Sequence, residues 1–170
     1  MVCNLESVFQ VPGLAFPFDY ALPVQPAEEA GAGFPFAERP QVQGEAANRA
    51  GVVTLTARIR LRLTTVCDRC AAPMELRLTA AADHVLVASL NNADNDELVL
   101  VNPARFSPDE LLWEDIVLAM PARVLCREDC QGLCPQCGRN RNEGPCACAV
   151  AADPRLAALR GWKEPPASDL

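Results

Sequence analysis

The sequence predicts an α+β protein: an antiparallel β-sheet organised by a long-strand hairpin, one or two helices, and a C-terminal cysteine-rich module. Three observations carry this reading. Val53, Leu55, Ala57, Ile59, Leu61 and Leu63 alternate with Thr54, Thr56, Arg58, Arg60, Arg62 and Thr64, the period-two pattern of a half-buried strand. Ser107-Pro108-Asp109-Glu110 has the form of a capping box that opens a helix. Six cysteines fall within the 23 residues from Cys126 to Cys148, a density that marks a module organised by metal or cross-links.

The other elements follow in chain order. Residues 4–20 mix apolar and turn residues and suit an edge strand or packing arm. Pro23 to Glu38, rich in Pro, Ala, Glu and Gly, reads as a loop. Val42 to Ala47 precedes a turn at Asn48 to Gly51 and is expected to pair with the long strand. The return strand is Met74, Leu76, Leu78 and Ala80, alternating with Glu75, Arg77 and Thr79. His84 to Ala88 and Glu97 to Val101 are expected as two short strands flanking an acidic Asn/Asp loop. Leu111, Leu112, Ile116 and Met120 give the helix after Ser107 an apolar side, and Pro121 ends it. A second short helix fits Pro154 to Arg160, with the last eight residues disordered. Residues 1–120 are thus expected to form the sheet domain with its N-terminal arm and capped helix. Residues 121–150 form the cysteine module packed on the sheet, and 151–170 the short helix and tail.

The 170 residues are half apolar, enough for one modest core, and the net charge is −7. That charge disfavours nucleic-acid binding by bulk basicity. Its distribution is uneven: Arg49, Arg58, Arg60, Arg62, Arg69 and Arg77 crowd the hairpin, whereas Asp83 to Asp115 holds eight acids against Arg105 alone. The N-terminal stretch MVCNLESVFQ has neither the charged region of a signal peptide nor a membrane-spanning apolar run. Nine cysteines without an export signal point to a reducing cytoplasm, where Cys-x-x-Cys pairs hold metal more often than they form disulfides. Cys3 stands apart as an unligated thiol.

The run from Cys126 to Cys148 contains one large aliphatic residue, Leu133. Burying one leucine contributes about 1.5–3 kcal/mol. Backbone ordering costs about 1–2 kcal/mol for every residue. Another agent must hold the segment, and the spacing points to zinc. Cys134-Pro-Gln-Cys137-Gly138 has the form of a zinc knuckle, two thiolates on one tetrahedral ion with glycine for the left-handed turn. Cys126 with Cys130, Cys146 with Cys148, and Cys67 with Cys70 supply three further pairs, enough for one or two structural zinc ions. The simplest partition sets Cys134, Cys137, Cys146 and Cys148 in one site and Cys67, Cys70, Cys126 and Cys130 in the other. Interleaved sets, such as Cys130 with Cys134 and Cys137, satisfy the spacing equally. Arg69, Arg123, Arg127, Arg139 and Arg141 lie beside the cysteines and either offset thiolate charge or contact nucleic acid.

Catalysis finds no support in the residues. A zinc deaminase needs His-x-Glu before its Cys-x-x-Cys, and the one histidine, His84, is followed by Val85 and Leu86. His84 reads as a strand residue rather than a ligand. Sulfur in every zinc position leaves no open coordination site. No phosphate loop, nucleotide fingerprint or Ser/His/Asp set is visible, so no small-molecule substrate is expected. A dithiol redox pair at Cys134 and Cys137 lacks the surrounding βαβ pattern. Arg58, Arg60 and Arg62 share one strand face, with Arg77 on the return strand. They form either a solvated sheet face or a patch that touches phosphates. No aromatics interleave with them, which argues against sequence-specific reading of single strands.

The hairpin motif LTTVCDRCAAPMEL and the tail PARVLCREDCQGLCPQCGRNRNEGPCAC resemble the YceD family, the large ribosomal RNA subunit accumulation proteins. The resemblance covers roughly residues 10 to 150, with the N-terminal third looser and Arg141 standing where an aliphatic residue is common. Cys67 and Cys70 match the shared motif, and the tail cysteines match the cysteine-rich branch. The resemblance implies a non-enzymatic factor for large-subunit rRNA accumulation and ribosome biogenesis, often encoded beside a large-subunit ribosomal protein. Its implied partners are large-subunit rRNA or a ribosomal protein. Two other readings remain: a redox-responsive zinc-thiolate protein, and an adaptor that presents Asp109, Glu110, Glu114 and Asp115 to a basic protein.

Overall fold

The alternation from Val53 to Leu63 becomes the middle strand of the protein. The computed structural model describes residues 1–23, 36–89 and 98–148. In chain order it contains α1 (Glu6–Gln10), β1 (Ala15–Ala21), β2 (Gln41–Arg49), β3 (Val52–Val66), β4 (Pro73–Val87), β5 (Leu98–Leu100), a 3-10 turn (Pro103–Arg105) and α2 (Asp109–Ala119). The strands form one sheet in the order β1-β2-β3-β4-β5. Val53, Leu55, Ile59, Leu61 and Leu63 of β3 are buried, and the intervening arginines face outward.

Two expectations require correction. His84 to Ala88 is not a separate strand: β4 runs unbroken for 15 residues and ends at Val87. The sheet is mixed rather than antiparallel, because β5 pairs with β4 in parallel, Val85 with Leu98 and Val87 with Leu100. Alternation sets which side chains face the core, but it reads the same along either strand direction. It therefore carried no information on the sense of β5. The first four strands are antiparallel to their neighbours. Residues 4–20 serve both expected purposes, α1 as a packing arm and β1 as an edge strand. Most of the expected loop from Pro23 to Glu38, most of the acidic loop, the helix at 154–160 and the final tail lie outside the described residues.

The β2–β3 turn shows how local chemistry sets register. Ala50 and Gly51 have φ of 54° and 90°, both left-handed, as a two-residue hairpin loop requires. Asn48 anchors it. Its Oδ1 accepts the Gly51 amide at 2.9 Å, and its Nδ2 donates to the Val8 carbonyl at 2.8 Å. The side chain is 1 % exposed and satisfied at both ends, so it joins the turn to α1. Farther along, Gly44 pairs with Ala57, which pairs with Ala82. A Cβ on Gly44 would lie 2.3 Å from the Thr56 carbonyl oxygen, so the close approach there requires glycine. Phe18, paired with Gly44 across β1, is buried beside this row of small residues.

Helix α2 packs on β4 through buried Leu112 and Ile116. His84 is a strand residue, and its Nε2 lies 2.8 Å from Asp115 Oδ2, which fixes the helix on the sheet. The expected capping box of Ser107 and Glu110 does not form. The helix begins after Pro108, and no side chain caps it. The Asp109 carboxylate instead accepts from the Tyr20 hydroxyl at 2.7 Å and pairs with the Met1 ammonium. Trp113, not singled out by pattern, donates from Nε1 to the Pro23 carbonyl at 3.1 Å and meets Phe36 edge-on at 5.4 Å. Among the described residues, no helix is long and apolar enough to cross a membrane.

Replacing Asn48 by Ala would strand the Gly51 amide and the Val8 carbonyl inside the protein. The expected loss of stability is about 1–3 kcal/mol, read from the shift of the urea unfolding midpoint at unchanged slope.

Candidate metal centres

β3 and β4 remain paired down to Val66 and Pro73, beyond the reach of β2, whose last partner on β3 is Arg60. The projecting end carries the loop Cys67-Asp-Arg-Cys70-Ala-Ala. The Cys67 amide donates to the Ala72 carbonyl at 2.9 Å and the Ala71 amide to the Cys67 carbonyl at 2.8 Å. Ala71 takes φ of 54°, which closes the loop tightly enough to turn both sulfurs to one side.

The two residues between these cysteines grip the tail. The Asp68 amide donates to the Val124 carbonyl at 2.9 Å, and the Val124 amide donates back to Asp68 Oδ2 at 2.6 Å. The Arg69 carbonyl accepts the Leu133 amide at 3.1 Å, while its guanidinium donates to the Cys130 carbonyl at 2.9 Å. Gly132, at φ +69°, passes so close that a Cβ would sit 3.0 Å from the Arg69 carbonyl oxygen. This docking brings the hairpin sulfurs onto those of the tail: Cys67 to Cys130 at 3.8 Å and Cys70 to Cys126 at 3.7 Å.

The second group is built within the tail. The Gly138 amide donates to the Cys134 carbonyl at 2.9 Å and the Cys134 amide to the Arg139 carbonyl at 2.8 Å, forming the knuckle turn. Cys146 and Cys148 return to it. The eight cysteines thus fall into two groups, Cys67, Cys70, Cys126, Cys130 and Cys134, Cys137, Cys146, Cys148, with ligand atoms in each within 4.8 Å of one another. Each group could hold a metal ion. This grouping coincides with the simplest partition by spacing, and no interleaved set is brought together. Cys3 lies elsewhere, half-buried beside Phe106.

Asn142 links the two groups and was missed by sequence reasoning. It lies between Cys137 and Cys146, yet its Nδ2 donates to Cys130 Sγ of the other group at 3.3 Å. Its Oδ1 accepts from the Gln131 amide at 2.8 Å and from Arg127 at 2.7 Å. In sequence it is one asparagine in a turn-rich stretch, with nothing to distinguish it. Leu133, the single large aliphatic of the run, remains 41 % exposed, so apolar burial contributes little to this segment.

Each group holds sulfurs of contrasting acidity. Burial pushes the Cys67 thiol up, but the amides of Cys126, Arg69 and Cys70 outweigh it and draw it down to about 6. Amides of Cys137 and Gln136 draw Cys134 down to about 6 as well. Burial, then the neighbouring Cys130, Cys70 and Cys67 sulfurs, pushes Cys126 up to about 12. Cys137 and then burial do the same to Cys148. Four sulfurs this close cannot all be anionic without a cation between them.

The four arginines lie on the outer sheet face. Arg62 faces Arg77 across β3 and β4. Glu75 separates their charges, 3.3 Å from Arg62 and 2.8 Å from Arg77, and Glu38 lies 3.7 Å from Arg62. Arg77, then Arg62, holds the Glu75 carboxyl below the usual carboxylate range. Arg58 and Arg60 form no ion pair among the described residues. Arg60, Arg62 and Arg77 line a shallow concavity of about 400 Å³. The structure thus places the arginines on one face, two of them already neutralised by glutamate.

A divalent cation entering either group displaces protons from thiols held high, Cys126 in one and Cys148 in the other. Apparent metal affinity is therefore expected to rise with pH, about tenfold per unit for each proton displaced. Below about pH 6 the loss steepens, because Cys67 and Cys134 then carry protons too. Chelator competition across pH, with proton release followed by an indicator, measures both.

The family model for the large ribosomal RNA subunit accumulation protein YceD matches residues 55–163. Uncharacterized proteins of Mycobacterium bovis and Mycobacterium tuberculosis are 30 % identical over 97 residues, covering 55 % of this chain and 47 % of each relative. The chain spans about half the length of these curated relatives. No solved structure matches. The matched span takes in most of β3, all of β4, α2 and every cysteine of both groups, and the chain belongs to the YceD family.

Proposed function

We propose that the protein is a non-enzymatic factor for large-subunit rRNA accumulation, held in shape by two structural zinc ions. One observation carries the zinc reading. A tetrahedron of thiolates at the usual Zn–S length of about 2.3 Å has edges of about 3.8 Å, and the sulfur pairs across the hairpin and tail stand 3.7 and 3.8 Å apart. In this reading Cys67, Cys70, Cys126 and Cys130 hold one ion and Cys134, Cys137, Cys146 and Cys148 the other. Sulfur fills every coordination position, so neither ion binds water or substrate. Their task is to lock the tail, residues 121–148, onto the hairpin tip.

Family membership supports the link to large-subunit rRNA. Within this chain, the outer sheet face is the surface best suited to RNA. Among the described residues Arg58 and Arg60 have no acidic partner, and with Arg62 and Arg77 beside them they suit phosphates rather than bases. A ribosomal protein is the other partner consistent with the family. The proposed location is the cytoplasm, where ribosomes assemble and thiols stay reduced.

Elemental analysis of protein purified without chelator is expected to return two zinc ions per chain. Cys134→Ser should lower the count to one and leave the hairpin centre filled. Metal-free protein of unchanged shape would overturn the zinc reading. In filter binding to large-subunit rRNA, Arg58→Ala with Arg60→Ala should weaken binding across all sequences and reduce the salt slope by about one per arginine. Normal rRNA levels in a deletion strain, with no association to rRNA or ribosomal protein, would overturn the functional reading.

A further inference from the structure

α2 carries a second face that, beyond Trp113, the described residues leave open. Glu110, Trp113, Glu114, Val117 and Leu118 recur at the spacing of one helical stripe. They line a concavity of about 500 Å³. Val117 is 64 % exposed and Leu118 83 % exposed. Single exposed apolar residues are ordinary on any protein. Here two adjoin on one face, with the buried Trp113 lining the same concavity, Glu114 one turn before them and Glu110 two.

The structure also divides the helix's four acids into two pairs. Asp109 is engaged by Tyr20 and the Met1 ammonium, and Asp115 by His84. Glu110 and Glu114 are exposed and form no ion pair among the described residues. The free carboxylates are therefore the two that share the stripe with Val117 and Leu118.

We propose that this stripe docks a basic amphipathic segment of another protein. Its apolar side chains would cover Val117 and Leu118, and its Lys or Arg side chains, one and two helical turns away, would meet Glu114 and Glu110. Charge selects this occupant. A nucleic acid would bring phosphates against carboxylates. A second copy would set Glu110 and Glu114 against their counterparts or over bare Val117 and Leu118. The stripe lies on the core-packed side of the sheet, whereas the arginines lie on the other, so this surface stands independently of the RNA reading.

The probe is a labelled helical peptide with leucines on one face and flanking arginines, tested by fluorescence anisotropy against the full metal-loaded chain at physiological salt. A control peptide of equal charge carries serine for leucine. Leu118→Asp, and separately Glu110→Lys with Glu114→Lys, should each weaken binding about tenfold or more. The serine peptide should bind as weakly. The charge-matched Asp19→Lys with Glu45→Lys should change binding no more than about twofold, as expected for distant surface charges. Glu114→Gln, a surface change that leaves α2 intact, provides a second measure and should weaken binding severalfold. Equal binding of both peptides would trace the effect to bulk acidity and overturn the proposal. So would indifference to the α2 variants, or self-association that Leu118→Asp abolishes.

Discussion

The clasp between the hairpin tip and the tail is the constraint on which the C-terminal part depends. The tail has almost no apolar interior of its own, and Leu133, the one large aliphatic residue between Cys126 and Cys148, stays partly exposed. What positions it is a set of directed contacts. Backbone and side-chain hydrogen bonds from Asp68 and Arg69 fasten Val124, Cys130 and Leu133. Those bonds bring sulfurs of two distant segments to under 4 Å. A small buried cluster of Cys67, Cys70 and Cys130, with Met74 and Leu125 against it, seals the junction. Directed bonds lack the tolerance of a greasy core, so a single misplaced carbonyl is felt at the sulfurs.

The length of the hairpin gives this clasp its meaning. Each of its strands has 15 residues and spans roughly 50 Å at the usual rise. Only part of that length is supported by β2, and α2 sits near the other end at His84. The cysteine groups therefore stand at one end of the sheet and the acidic helix toward the other, with the arginines on the outer face between them. One continuous pair of strands thus carries three chemically distinct surfaces. Their separation follows from strand geometry and needs no hinge or second domain.

The contrast among the sulfurs follows from the same geometry. Amides aimed at Cys67 and Cys134 stabilise their thiolates, while burial and then the neighbouring sulfurs raise Cys126, and Cys137 and then burial raise Cys148. The donors to Cys134 come from its own knuckle turn, whereas the first amide on Cys67 is that of Cys126, supplied by the docked tail. Asn142 adds a side-chain donor across the boundary and makes one group's loop part of the other's surroundings.

Sequence alone determined the strand faces, the hairpin, the helix start to within a residue and the identity of the eight clustered cysteines. These are local properties: side-chain period, turn residues and short spacings reach only a few positions along the chain. Tertiary structure decided what depends on distant partners. The direction of β5, the continuation of β4 through His84, the use of Asp109 by Tyr20 rather than by its own helix, and the bond from Asn142 to Cys130 all join residues whose patterns are silent about each other. The grouping of cysteines shows the boundary clearly. Spacing paired Cys67 with Cys70 and Cys126 with Cys130, but only the docking of Val124 and Leu133 on the hairpin tip brought those two pairs together. Ligand spacing records how short segments turn, whereas the meeting of segments is set by the packing of the whole chain.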